Sequence, residues 1–210
     1  MTKQELEQQE LDRRFADQYD NIGEIHSGIA VVERDDMFGV INTKGDIIVP
    51  LIYTHISDFR NKLAAAYIED KGCFINIKGE IISPLTYDDI SLESHGELYG
   101  PNFSNGLVKV CVDGKYGFVN TMGELAIPAI YDSAQDFTNG GLSIVSQDKK
   151  WGIINNEGNA VIDIKYDRIF EMSKKGYITV EINGVVEIID YTGKILSNDD
   201  LEEMHKRKPG

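Results

Sequence analysis

Basic residues are scarce. The chain of 210 residues sets 21 Lys+Arg against 35 Asp+Glu, a formal net charge of −14. Nucleic-acid backbones and anionic lipid surfaces are held by clustered Lys and Arg, so this balance argues against both as partners. Cysteine is scarce too. Cys73 and Cys111 are too few to staple a secreted domain. No apolar run approaches the roughly 20 residues that cross a bilayer, and residues 1–10 lack the apolar stretch of a secretory leader. Together these absences point to a reducing cytoplasm. Apolar residues still make up 41% and aromatics 9%, enough to bury a core, which a disordered acidic tail lacks.

What the chain does have is a repeat. Tyrosines stand at Tyr19, Tyr53, Tyr87, Tyr131 and Tyr166, in steps of 34, 34, 44 and 35 residues. Gly45, Gly79, Gly123, Gly158 and Gly193 keep that register, as do Asn42, Asn76, Asn120, Asn155 and Asp190. Five residues beyond the glycines come Pro50, Pro84 and Pro128, replaced later by Asp163 and Asn198. Several residue types in one register make chance similarity very small. The chain divides into residues 1–18, five units (19–52, 53–86, 87–130, 131–165 and 166–198) and a tail over 199–210. The long step carries ten extra residues within 91–102, and an insertion confined to one point marks a surface loop.

One unit reads as a three-stranded meander. Leu107–Val112 is a β-branched run, and Asp113-Gly114 is a dipeptide suited to a two-residue hairpin with positive φ at both turn positions. Lys115–Asn120 returns, residues 121–123 turn, and a short third strand ends at Pro128, which cannot donate to a ladder. Asn183-Gly184 gives the fifth unit the same turn, while Asp35-Asp36, Glu69-Asp70 and Asp148-Lys149 are poorer turn formers. At the ends, Thr2 and Glu5 fit a capping box for a helix reaching about Gln18. Residues 197–205 read as a second helix, acidic early, with Lys206, Arg207 and Lys208 late. The expected fold is therefore all-β. It is a tandem array of five three-stranded β-meander repeats with short helical caps, either an open β-solenoid or superhelix or a five-bladed propeller-like ring.

The segment with Gly141, Lys150-Trp151-Gly152, Asn155, Gly158 and Tyr166-Asp167 resembles the WG repeat of bacterial proteins, named for its Trp-Gly pair. Phe38-Gly39 and Tyr116-Gly117 are aromatic variants of the pair. Gly72-Cys73 and Val186-Glu187 have lost it. The resemblance implies an all-β repeat scaffold and no particular reaction.

Nothing in the chain assembles a catalytic motif. His26, His55, His95 and His205 all lie more than four residues apart, and Cys73 and Cys111 are 38 apart, which fits no metal-ligand spacing. There is no P-loop, nucleophile elbow, dinucleotide fingerprint or zinc-protease motif. Neither an enzyme nor a cofactor is expected. Cys73 fills the slot of the pair glycines and reads as a small packed residue. Asp20, Asp88, Asp132 and Asp167 follow repeat tyrosines and read as turn bonders to nearby amides. Phe38, Tyr116 and Trp151 read as core, although such rings also stack on sugars.

Residues that serve every unit serve the fold, so function is sought where the pattern breaks. The insertion adds Leu92, Glu93, Glu97, Leu98 and Tyr99, an acidic and aromatic set suited to an interface. The reading is a non-catalytic scaffold binding a basic protein partner, with a bacterial immunity protein neutralising a toxin as its concrete form. The alternative is a carbohydrate-binding module or hydrolase with a groove of carboxylates and aromatics.

Overall fold

The computed structural model describes residues 2–83, 86–95, 98–173 and 176–206. Helix α1 (Lys3–Phe15) opens the chain. Thr2 Oγ1 accepts from the Glu5 amide, and the Glu5 carboxylate accepts from the Thr2 N–H, so the expected capping box forms. The helix stops short of Gln18.

Five antiparallel sheets follow in chain order. The first contains β1 (Asn21–Ile22), β2 (Ile29–Arg34), β3 (Met37–Asn42) and β4 (Ile47–Tyr53). The second contains β5 (His55–Ile56), β6 (Leu63–Ile68) and β7 (Lys71–Asn76). Strand β8 (Asp89–Ile90) leads into a separate hairpin of β9 (Leu92–His95) and β10 (Leu98–Pro101). The third sheet resumes with β11 (Leu107–Val112), β12 (Lys115–Asn120) and β13 (Leu125–Tyr131). The fourth holds β14 (Ser133–Ala134), β15 (Leu142–Gln147), β16 (Lys150–Asn155) and β17 (Ala160–Tyr166). The fifth holds β18 (Arg168–Met172), β19 (Tyr177–Ile182) and β20 (Val185–Asp190), and α2 (Asn198–Lys206) comes after it.

The three-stranded meander needs two corrections. Each sheet begins with an additional strand that pairs with the hairpin, such as Ile90 opposite Val110. In four sheets it is two residues long, too short to leave a period in the sequence. Second, the third strand is complete only in the first, third and fourth sheets. In the second and fifth, among the described residues, single bridges such as Ile75 with Ile81 and Ile189 with Ile195 take its place. Pro84 lies outside the described residues.

The two sides of each inner hairpin face different neighbours, as the period of two requires. In β11, Val108 and Val110 pack towards the second sheet, while Leu107 packs towards the fourth. Four apolar clusters thus join the sheets in chain order, and α1 adds Leu11 to a fifth with Ile25, Ala30, Val32 and Ile41. Among the described residues no cluster links the fifth sheet to the first, and no sheet closes into a barrel. Phe74 and Phe118 are fully buried, the latter edge-on to Phe137 at 4.7 Å between centroids.

The repeat markers acquire physical roles. Asn120 Oδ1 accepts from the amides of Met122 and Glu124, and Gly123 sits at φ +84°. The same double acceptance recurs at Asn42, Asn76, Asn155 and Asp190. An Asx-turn followed by a left-handed residue explains why Asn and Gly travel together. The pair aromatic and the repeat tyrosine are cross-strand partners: Phe38 with Tyr53, Tyr116 with Tyr131, Trp151 with Tyr166. Between them the third strand bulges over the pair glycine. A Cβ on Gly117 would lie 2.7 Å from Ile127 O and Ala129 N, and one on Gly152 would lie 2.7 Å from Ile162 O.

Candidate partner-binding surface

The inserted hairpin is held from both sides. Its β10 strand meets the second sheet at Asp58. The Tyr99 amide donates to Asp58 Oδ2 at 2.7 Å, and the Asp58 amide donates to Tyr99 O at 2.9 Å. Gly100 is packed so close to this segment that a Cβ would lie 2.5 Å from Asp58 O. On the other flank, Asp136 of the fourth sheet's leading loop binds both stems of the insertion. It accepts from Ser91 Oγ at 3.3 Å and Asn102 Nδ2 at 3.1 Å, and pairs with Lys109 Nζ at 3.4 Å. Asp58 and Asp136 occupy the same position in their respective units, five residues after the repeat tyrosines Tyr53 and Tyr131. No signal in one unit alone reveals that they clasp a third.

The proposed site residues therefore fare differently. Tyr99 stays 46% exposed. Leu92 is half-buried against the cluster between the second and third sheets, so it anchors the hairpin. Glu93 is exposed. Leu98 lies on β10, its side chain not described, and Glu97 lies outside the described residues, as do Arg207 and Lys208.

A second arrangement runs along the hairpin tips, and sequence reasoning described it only in part. Asp20, Asp132 and Asp167 each accept the amide of a hairpin turn, at Asp35, Asp148 and Asn183, over 2.6–2.8 Å. Those amides are 15 or 16 residues away, not nearby as expected. Asp88 reaches Gly114 in the same manner at 3.3 Å. Asp88, Asp132 and Asp167 also pair with Lys71, Lys115 and Lys150 of the preceding hairpin. Each carboxylate thereby ties two successive sheets. The lysine hydrogen bond, helped by the turn amides, holds all three below the usual carboxylate range.

The cysteines, His55 and the pair aromatics are packed to different degrees. Cys73 is fully buried, and burial pushes its thiol up to about 11, which suits packing and not attack. Cys111 is buried and raised as well. His55 is edge-on to Phe38 at 5.6 Å, its pKa lowered by burial. Trp151 and Tyr116 are half-buried against inter-sheet clusters. Among the described residues no three His, Cys, Asp or Glu side chains gather as for a metal. No helix is long and apolar enough to cross a membrane. A shallow depression of about 390 Å³ lies along α1, lined by Gln4, Gln8 and Glu24 among others.

A family model described as a WG containing repeat matches residues 38–71, 74–99, 116–151 and 151–185. That is more than half of the chain. The protein belongs to the WG-repeat family. Three matched segments of this WG-repeat chain start on the pair aromatics Phe38, Tyr116 and Trp151, the residues that meet the repeat tyrosines. No curated protein matches it. Among solved structures, Hsv2 of Kluyveromyces lactis is 10% identical over 81% of this chain and 58% of its own, with a TM-score of 0.40. A eukaryotic initiation factor is 9% identical over 81% and 62%, at 0.34. A protein of unknown function from Bacteroides caccae is 14% identical over 83% and 78%, at 0.27. The WG-repeat chain spans about three fifths of the length of the Hsv2 chains. At these identities and TM-scores the likenesses say nothing about its activity.

Proposed function

We propose that this WG-repeat chain is a non-catalytic scaffold that binds a basic protein partner in the cytoplasm, each of the five sheets serving as one repeat. In this reading α1 caps the first sheet, since Leu11 and Phe15 supply what a preceding unit would, and α2 serves the opposite end. The net charge of −14 speeds encounter with a basic partner. One observation carries the reading: the insertion is clasped by Asp58 and Asp136 while its Tyr99 ring stays exposed. A stem held on both sides with an outward aromatic supplies an anchor at little entropic cost. The concrete form is a bacterial immunity protein that masks a basic toxin.

Affinity capture from bacterial lysate at low and high salt tests this. Basic proteins retained at low salt and released at high salt are expected, and Tyr99→Ser should weaken the main interaction about tenfold, about 1.4 kcal/mol. An empty capture at low salt removes the partner. Undiminished binding by Tyr99→Ser moves the site off the insertion.

A further inference from the structure

Exposed aliphatic side chains are not scattered over this protein. Most of the large ones lie on the third strands or the turns that feed them, including Ile47, Leu125, Ile130 and Ile195. They are densest where the second sheet meets the third. Ile81 is 57% exposed, Ile82 36%, Met122 65% and Leu125 47%. The turn of the third sheet rests on the second, since a Cβ on Gly123 would strike Ile82 Cγ2, which brings Ile82 beside the Met122 turn. In β13 the pattern is solvent-facing apolar beside a buried Ile127, so packing within the chain does not call for Leu125 to be apolar.

We infer that this patch is a docking surface for a basic amphipathic segment of a partner protein. The inference rests on the scaffold reading and gives it a second contact. Charge favours that occupant. Glu80 and Glu124 flank the patch, each held by an Asn side chain, Asn76 and Asn120. Glu157 begins the next turn, and Lys78 is the basic residue interposed. A second copy of the chain brings another −14 and is repelled. Strand addition is disfavoured because Pro128 on the β13 edge has no N–H to offer and the strand is bulged. What remains is apolar contact with cationic flanks, the chemistry of an amphipathic helix laid on an apolar surface. The pairing of Leu107 with Asn120 puts this patch at the same end of the sheet as the insertion. In the order β13-β12-β11-β8 the two are three strand spacings apart, about 14 Å. One partner can span both.

The probe is a synthetic 18-residue helical peptide with leucines on one face and lysines on its flanks. Two controls replace its leucines by serine or its lysines by glutamate. Anisotropy titrations should show the Leu/Lys peptide binding at least tenfold tighter than either control. The double variant Met122→Ser/Leu125→Ser, both residues exposed, should lose about tenfold while melting like the parent. Equal binding of the Leu/Lys and Ser/Lys peptides overturns the patch but leaves an acidic scaffold for basic partners standing. Failure of every basic peptide at low salt overturns both. Sedimentation showing a dimer that the double variant abolishes overturns the inference by assigning the patch to a second copy.

Discussion

The fourth and fifth sheets share the Asn/Asp–Gly turn register of the repeat, and they differ at the slot of the pair glycine. In the fourth, β17 bulges over Gly152, and a side chain there would lie 2.7 Å from Ile162 O and 2.8 Å from Ile164 Cα. In the fifth, Glu187 fills the same slot. No third strand follows among the described residues; the chain makes one bridge, Ile189 to Ile195, and turns to α2. The second sheet agrees with the fifth: Cys73 stands in the slot, and the Phe74 amide bonds Ser83 Oγ instead of a strand. The pair glycine is thus a requirement of the strand laid beside it. It is no requirement of its own backbone.

The sharpest way to break that comparison is to fill the slot in both sheets. Gly152→Val should overpack the bulge and lose roughly 1–3 kcal/mol. Glu187→Val, with no third strand bulged over it among the described residues, should stay within about 0.5 kcal/mol of the parent. Thermal melts of the two variants decide it, and similar losses would sink the account.

A smaller effect is expected at the hairpin tips. Asp148 and Lys149 hold φ of +50° and +62°, while Asp113-Gly114 and Asn183-Gly184 reach the same turn with glycine second. A side chain in the left-handed region carries strain. Lys149→Gly should therefore stabilise by about 0.5–1 kcal/mol, read as a higher denaturant midpoint at unchanged slope.

The smallest effect concerns the exposed carboxylate ties, which link the second to fifth sheets through Lys and a turn amide. Asp88, Asp132 and Asp167 have folded pKa values below their ordinary value near 4. Their contribution is therefore present above about pH 4 and lost as pH falls through the lowered values. Lys71 and Lys115 are raised, so the same ties also fade on the alkaline side above about pH 10.4. The melting temperature of Asp132→Asn should fall below the parent's at pH 7 and converge with it below about pH 3. A gap constant across that range would assign Asp132 another role.

Much of this was legible because it is local. Asn120 and Gly123 announce an Asx-turn within five residues, and Asp113-Gly114 announces its hairpin within two. The added leading strands were not legible, since Ser133–Ala134 has no period to detect. Nor was the site. The insertion shows itself as ten extra residues, but its clasp uses Asp58 and Asp136, which are 78 positions apart. The exposed patch joins Ile82 to Met122 across a sheet boundary. Each residue taken singly reads as an ordinary strand residue.

The sequence by itself determined the register of the repeat, its turns and the all-β class, because hydrogen bonds within a hairpin and the handedness of a turn depend on residues a few places apart. Only the tertiary structure decided which sheet lies against which. It also decided which glycine sits under a bulge, which aspartate ties two hairpins, and which aliphatic residues are left facing water. Those outcomes depend on the distance between groups far apart in the chain, and that distance is set by how the sheets stack.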